Sequence, residues 1–350
     1  MPTIDELRLL QAQPLELKIM RTQARIREWV ERFGVDGVYI SFSGGKDSTV
    51  LLDIARKLYP NIKAVFANTG LEYPEIQSFV KQHDNVDIIR PKMRFDEVIK
   101  TYGYPFISKD VAMTVWRVKN NNAIWAIRKL NGLHCETGEF SQYNFDRYAK
   151  YKPLLDVDFN ISDRCCGIMK EKPLDEFKKN NGGATSMTAI MADESKRRTD
   201  AWLKTGCNAF DSKSPMSKPM SFWTEQDVLK YIKDNSVEIA SVYGDVVEVS
   251  NNDKNQLCIG DCGKLSCTKC QRTGCIFCGY GAHHDKDGGG ESRFVRLKRT
   301  HPKQYDYCMG GGEYNEQGIW QPNKDGLGMA HCIDVLNSIY SKKGKPFIEY

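Results

Sequence analysis

The chain has 350 residues, 41% of them apolar, a formal net charge of +5 and twelve cysteines. That length exceeds one ordinary domain and allows a sizeable core, while the mild charge argues against a polybasic tail and fits phosphate-bearing partners. No run approaches the roughly 18 apolar residues of a membrane-spanning helix.

The first residues, Met1 to Arg21, are charged and amphipathic and lack a signal-peptide apolar block. A cytoplasmic protein with no membrane partner is expected. In a reducing compartment clustered cysteines hold metal more often than they form disulfides. Leu15 to Phe33 repeats apolar residues at helical spacing and ends at Gly34, a residue suited to a C-terminal cap. Gly37 to Phe42 reads as a buried strand, and Lys46 to Leu58 as a helix with Val50, Leu51, Ile54 and Leu58 on one face. Ile62 to Ala67, Val86 to Ile89 and Ala184 to Met191 are further strands, and Leu71 to Gln82 is a helix. Such alternation predicts an α/β fold, a doubly wound parallel sheet covered on both faces, with ligands at the carboxyl ends of its strands. Lys109 to Leu130 is helical with a break at Asn120 to Asn122, and residues 131–164 are aromatic-rich and irregular. Thr224 caps a helix running to Asp234, with Asp227 at the third helical position. From Ser250 to Gly290 cysteine, glycine and lysine replace aliphatics, which marks a metal-organised or a disordered segment, and the ordered cysteine spacing favours the former. The expected division is an N-terminal helical segment (1–35), a nucleotide-binding α/β domain (36–249) and a cysteine-rich metal-binding and C-terminal region (250–350).

Ser43-Gly44-Gly45-Lys46-Asp47-Ser48 lies between a strand and a helix. Its glycines let backbone amides approach phosphate oxygens, the helix N-terminus adds partial positive charge, and Lys46, Ser43 and Ser48 supply further contacts. It is not a Walker A loop, because the four-residue insert before Gly-Lys is missing.

In this context SFSGGKDSTVLL resembles the pyrophosphate loop of the adenine-nucleotide α-hydrolase (PP-loop) superfamily. The similarity is greatest to its branch with phosphoadenylyl-sulfate (PAPS) reductase, the ATP sulfurylase small subunit and the DNA phosphorothioation sulfurtransferase. Four more segments resemble that branch: Val65 to Glu75, Ala192 to Arg198, Pro219 with Trp223 to Val228, and Cys165-Cys166 with Lys170 and Pro173-Leu174. The resemblance implies that Thr69 and Gly70 stand beside the nucleotide. It implies ATP with Mg²⁺, cleaved between the α and β phosphates to AMP and pyrophosphate, with an acceptor adenylated for sulfur transfer from a donor protein. Lys46, Asp47, Asp193, Glu194 and Arg198 are the catalytic candidates. The alternatives are an adenylyl sulfate reductase releasing sulfite and a non-catalytic nucleotide-binding module. The reductase thiol motif Glu-Cys-Gly-Leu-His is not found, and Cys332 reads as an inert residue of a helix.

The cysteines fall into two sets. Cys258, Cys262, Cys267 and Cys270 have the compact spacing of a zinc site, expected away from the nucleotide. Cys275 and Cys278, with Cys165 and Cys166, resemble the [4Fe–4S] ligands of the reductase branch, with Cys308 a rival to Cys165. His283 and His284, in a polar Gly-Lys-Asp loop, read as solvent-facing or phosphate-contacting rather than as metal ligands. Arg293, Arg296, Lys298, Arg299 and Lys303, with Phe294 and Tyr305 between them, are a candidate nucleic-acid or sulfonucleotide contact.

Overall fold

Apolar spacing in Leu15–Phe33 produces the expected 19-residue helix, which buries Ile26 and Trp29 and stops at Gly34 with φ 75°. The computed structural model describes residues 2–249, 263–287, 290–342 and 344–350. Among them no helix is long and apolar enough to cross a membrane. The chain forms two compact units, one of Met1–Asn68, Glu72–Arg90 and Pro173–Gly274, the other of Thr69–Leu71, Pro91–Lys172 and Cys275–Tyr350.

The first unit is built on a six-stranded sheet in the order Val86–Ile89, Ala64–Ala67, Val38–Ser41, Thr185–Met187, Met216–Ser217, Asn208–Ala209. Every pairing is parallel except the last, which is antiparallel. The chain winds outward from the central strand to one edge and returns on its other side, which is the doubly wound α/β arrangement. Ile40, Val50, Leu51, Ile54 and Trp223 are fully buried, each such side chain contributing about 1.5–3 kcal/mol. Trp223 donates its indole N–H to Thr22 Oγ1 at 2.9 Å, so its one polar group is satisfied inside the core.

The Glu225–Asp234 helix has the capping box its sequence announces. Thr224 Oγ1 accepts from the Asp227 amide, and Asp227 Oδ2 accepts from the Thr224 amide at 2.7 Å. Asp227 also pairs with buried Lys18 at 2.6 Å. Thr224→Ala is expected to cost about 1 kcal/mol, read as a lower urea midpoint at unchanged slope; an unchanged midpoint would show the cap to be idle.

The second unit departs from the expected boundaries at 35/36 and 249/250. Residues 91–172 leave the sheet and fold with residues 275–350. Phe106–Ile107 pairs in parallel with Gly279–Tyr280, and Tyr104 donates its hydroxyl to the Leu327 carbonyl at 2.7 Å. Tyr104, Phe106 and Phe159 pack their rings within 5.8–6.2 Å of one another. The expected long helix breaks into Lys109–Asn121 and Ile124–Leu130 at Asn122, which takes φ 47°. The segment read as irregular contains the Gln142–Tyr148 helix and a 3₁₀ turn over Ala149–Leu155. Part of the expected metal segment is a strand, Lys264–Cys267, antiparallel to Val246–Val249 in the first unit.

Candidate functional site

The 43–48 loop follows Val38–Ser41 and opens the 13-residue Lys46–Leu58 helix, with Gly45 as its N-cap. Gly44 has φ +69°, and a Cβ there would stand 2.8 Å from both Ile76 Cγ2 and Val80 Cγ2. Glycine is therefore required on both conformational and steric grounds. The loop is braced from within. Ser43 N–H donates to Ser48 Oγ at 3.2 Å, Gly45 N–H to Ser43 Oγ at 3.3 Å, and Ser48 Oγ to the Gly45 carbonyl at 2.9 Å. The Lys46 amide donates to Tyr243 Oη at 3.3 Å, and that hydroxyl is 2.5 Å from Thr273 Oγ1. An anion on this helix terminus meets oriented amides and a partial positive charge.

Lys46 is only 3% exposed. Its ammonium is 3.1 Å from Glu225 Oε1 and 3.6 Å from Asp47 Oδ1, and it donates to the Gln271 carbonyl at 3.0 Å. Burial raises the Asp47 carboxyl above its ordinary pKa, Lys46 pulls it down and Glu225 pushes it up again. Asp47 Oδ1 is buried and accepts no hydrogen bond among the described residues, which suits it to a cation brought in with a nucleotide.

Glu194 ties two arginines to this corner. Its Oε1 pairs with Arg198, and its Oε2 with Arg272 at 2.9 Å. Burial, and then the neighbouring charge of Arg272, lower the pKa of Arg198. Arg272 also acts electrostatically on Asp47. Asp193 is exposed and makes no hydrogen bond or ion pair among the described residues, so the structure brings Lys46, Asp47, Glu194 and Arg198 together but not Asp193. Sequence reasoning missed Glu225, Tyr243, Gln271, Arg272 and Thr273. Glu225 sat within a quoted motif, and Arg272 within a segment read only for its cysteines. Thr69 and Gly70 belong to the second unit. There Thr69 Oγ1 accepts from the Leu71 amide at 3.1 Å, and Gly70 has φ +76°.

The second unit gathers four cysteines. Cys165 and Cys166 end a short helical turn that continues as a π-helical turn over Gly167–Glu171. Cys275 and Cys278 bracket a turn closed by the Cys278 amide on the Cys275 carbonyl at 3.1 Å. Arg293 fixes that turn, donating to the Cys278 and Tyr280 carbonyls at 3.0 and 2.9 Å while paired with Asp285. Tyr280 donates its hydroxyl to the Ser162 carbonyl at 2.8 Å, linking the two cysteine pairs. Cys165 donates to Cys166 across 4.0 Å. That bond, with the charges of Lys109 and Lys170, pulls the Cys166 thiol down to about 6 against the opposing effect of burial. Cys165 is pushed up, by its bond to Cys166 first, then by burial and the charges of Cys166, Cys278 and Cys275.

This donor set fits an iron–sulfur cluster. Cys275 and Cys278 act electrostatically on Cys165, and Lys109, Lys170 and Arg293 act on Cys166 and Cys278, positive charge that would offset a four-thiolate cluster. Among the described residues no group of three His, Cys, Asp or Glu side chains is placed to hold a metal ion. Cys308, the rival candidate, is fully buried with its sulfur 3.4 Å from that of Met329, and burial alone raises its pKa. Cys332 is buried in the Met329–Tyr340 helix, as expected.

Of the expected zinc set, Cys258 and Cys262 lie outside the described residues. Cys267 and Cys270 are not remote from the nucleotide loop as expected. Burial raises the Cys267 thiol, the Lys46 charge opposes this, and Glu225 and Asp47 add to it. The antiparallel pairing of 264–267 with 246–249 carries this turn to the loop. His283 is half-buried rather than solvent-facing, stacked on Phe347 at 4.7 Å, and burial takes its pKa down to about 4. The 293–303 basic run is partly neutralised, since Arg293 pairs with Asp285 and Arg299 with Glu291.

The family model of the phosphoadenosine phosphosulfate reductase domain matches residues 37–279. A protein of Staphylococcus haemolyticus named adenosine 5′-phosphosulfate reductase is 26% identical over 209 residues, 59% of this chain and 65% of the relative. The chain thus spans just under two thirds of that relative's length. A Gloeobacter violaceus protein named phosphoadenosine 5′-phosphosulfate reductase is 25% identical over 212 residues, 60% of this chain and 66% of the relative. A solved phosphoadenylyl-sulfate reductase from Candida auris, in a phosphate complex, aligns with TM-score 0.37 and 16% identity, covering 69% of this chain and 91% of that one. The names of the Staphylococcus haemolyticus and Gloeobacter violaceus relatives side with the reductase alternative more than with ATP cleavage.

Proposed function

We propose that this chain, which belongs to the phosphoadenosine phosphosulfate reductase domain family, binds an adenylyl sulfate on its 43–48 loop and releases sulfite from it. The observation that supports this best is the four-thiol set of Cys165, Cys166, Cys275 and Cys278 with Lys109 and Lys170 beside it, in a chain whose relatives carry the names of adenylyl sulfate reductases. A [4Fe–4S] cluster on those thiols supplies a polarising and redox-active centre when bound. The loop amides and Lys46 hold the α-phosphate, and Arg198 and Arg272 meet the negative charge beyond it. The reductant is a dithiol. One thiolate attacks sulfur and the S–O bond breaks, its electron pair leaving with AMP. The second thiolate then attacks the sulfur of the first, forming a disulfide and releasing sulfite with the electron pair of the broken S–S bond.

A second reading, ATP cleavage to AMP and pyrophosphate with an adenylated acceptor and a sulfur-donor partner, is favoured by one feature. Asp47 Oδ1, buried and unbonded beside Lys46, suits Mg²⁺ travelling with ATP. Anaerobically iron-loaded protein should be given adenosine 5′-phosphosulfate with a dithiol, and in parallel ATP with Mg²⁺. Sulfite with AMP supports the first reading; pyrophosphate with AMP overturns it in favour of the second. In either case Lys46→Ala should weaken nucleotide binding by about 1–3 kcal/mol, measured by calorimetry, and unchanged affinity would remove the loop from the site.

A further inference from the structure

We infer that a face of the second unit, formed by Phe140, Tyr143, Phe145, Arg147 and Lys150, binds single-stranded nucleic acid. The inference is independent of which nucleotide the 43–48 loop takes. It begins from charge. Residues 109–152 contain eight Lys and Arg against four Asp and Glu, a net of +4 in a chain whose whole net is +5. Almost all of the molecule's excess charge thus belongs to one eighth of its length.

The same stretch exposes rings that a fold ordinarily buries. Phe140 is 64% exposed, Tyr143 59% and Phe145 51%. They occupy six consecutive residues at the start of the Gln142–Tyr148 helix, and the scaffold beneath them is firm. Ser141 caps that helix, accepting from the Asn144 amide at 3.3 Å, and the Asn144 side chain donates to the Leu133 carbonyl at 2.6 Å. The Phe140 and Phe145 rings are 5.7 Å apart, and Arg147 stands over the Tyr143 ring at 5.1 Å while donating to its hydroxyl. The cations here make no ion pair among the described residues, although Arg147 acts electrostatically on Asp110. Arg147 and Lys150 stand over the rings of Tyr143 and Tyr151, and Lys152 donates to the Asn131 side-chain oxygen. Exposed rings beside cations that make no ion pair are the two elements of sequence-tolerant single-strand binding, bases stacking on the rings while the cations track the phosphates. A protein partner would be served by the rings but leaves the excess charge without a role.

The test uses the full chain and 5′-labelled 20-mers of thymidine and of uridine in fluorescence anisotropy at 50 and 200 mM salt. Binding is expected at the lower salt and should weaken about 10- to 100-fold at the higher, as phosphate contacts require. Phe140→Ala with Tyr143→Ala should weaken binding at least about ten-fold at either salt while leaving the salt dependence in place. Arg147→Glu with Lys150→Glu should flatten the salt dependence. Thermal unfolding of each variant confirms that these exposed positions leave the fold intact. The proposal is overturned by absence of binding at 50 mM salt, or by unchanged affinity in the ring variant. It is also overturned by a concentration-dependent dimer that the ring variant abolishes, which would assign the face to a second copy of this chain.

Discussion

Gly44→Val is expected to abolish nucleotide binding, lowering affinity more than about 100-fold, and to cost about 2–4 kcal/mol of stability. Two effects combine. At φ +69° any side chain is strained, and a Cβ there would lie 2.8 Å from Ile76 Cγ2 and Val80 Cγ2, both on the Pro74–Lys81 helix. The valine methyls would then have to move either that helix or the loop, and the loop is the softer of the two. Shifting it misaims the amides at the start of Lys46–Leu58 and breaks the Ser43–Ser48 bracing. Gly70→Ala is the matched comparison. Gly70 has φ +76° but nothing within 4 Å of the added atom, so it should lose only about 1 kcal/mol. Calorimetry and urea unfolding measure both. A folded Gly44→Val protein with wild-type nucleotide affinity would show that the phosphate binds elsewhere.

Cys275→Ser is expected to remove nearly all iron from anaerobically purified protein, from about four atoms per chain to below one, and to bleach its absorbance near 400 nm. The reason is the position of Cys275 within a turn that Arg293 and the Tyr280–Ser162 bond hold toward Cys165 and Cys166. Cys308→Ser should retain the iron, because Cys308 is fully enclosed beside Met329. Cys267→Ser should retain it too, since that residue lies beside Lys46 in the first unit. Iron lost from Cys308→Ser but kept in Cys275→Ser would reverse the ligand assignment, and a colourless anaerobic protein holding only zinc would dismiss the cluster.

The legible parts of this chain were those encoded locally. Leu15–Phe33, Lys46–Leu58 and Val86–Ile89 end where apolar periodicity and cap residues place them, because those signals act within a few residues. The place of the 43–48 hexapeptide between a strand and a helix was equally legible, being contiguous. Strands of two residues such as Asn208–Ala209 and Met216–Ser217 are too short to carry a period and exist only through their pairing. The division into units was missed for a related reason: Tyr104, Phe106 and Phe159 join residues 275–350 through contacts far apart in sequence, which leave no compositional boundary. The partners of Lys46 followed the same pattern. Gln271 reaches it across 225 positions, and among twelve cysteines the residues between them drew no notice.

Under the proposed function, the sharing of Glu194 between Arg198 and Arg272 would make this corner an ion exchanger. An incoming anion does not add to a vacant positive site; it must replace a carboxylate already there, and its net gain is the difference between two pairings. A singly charged anion such as chloride or acetate gains little in that exchange. A group carrying two or more charges, held at the same time by the loop amides, outcompetes Glu194. On that reading the corner would select ligands by valence, and Glu194, still tethered, would remain at hand as the product leaves.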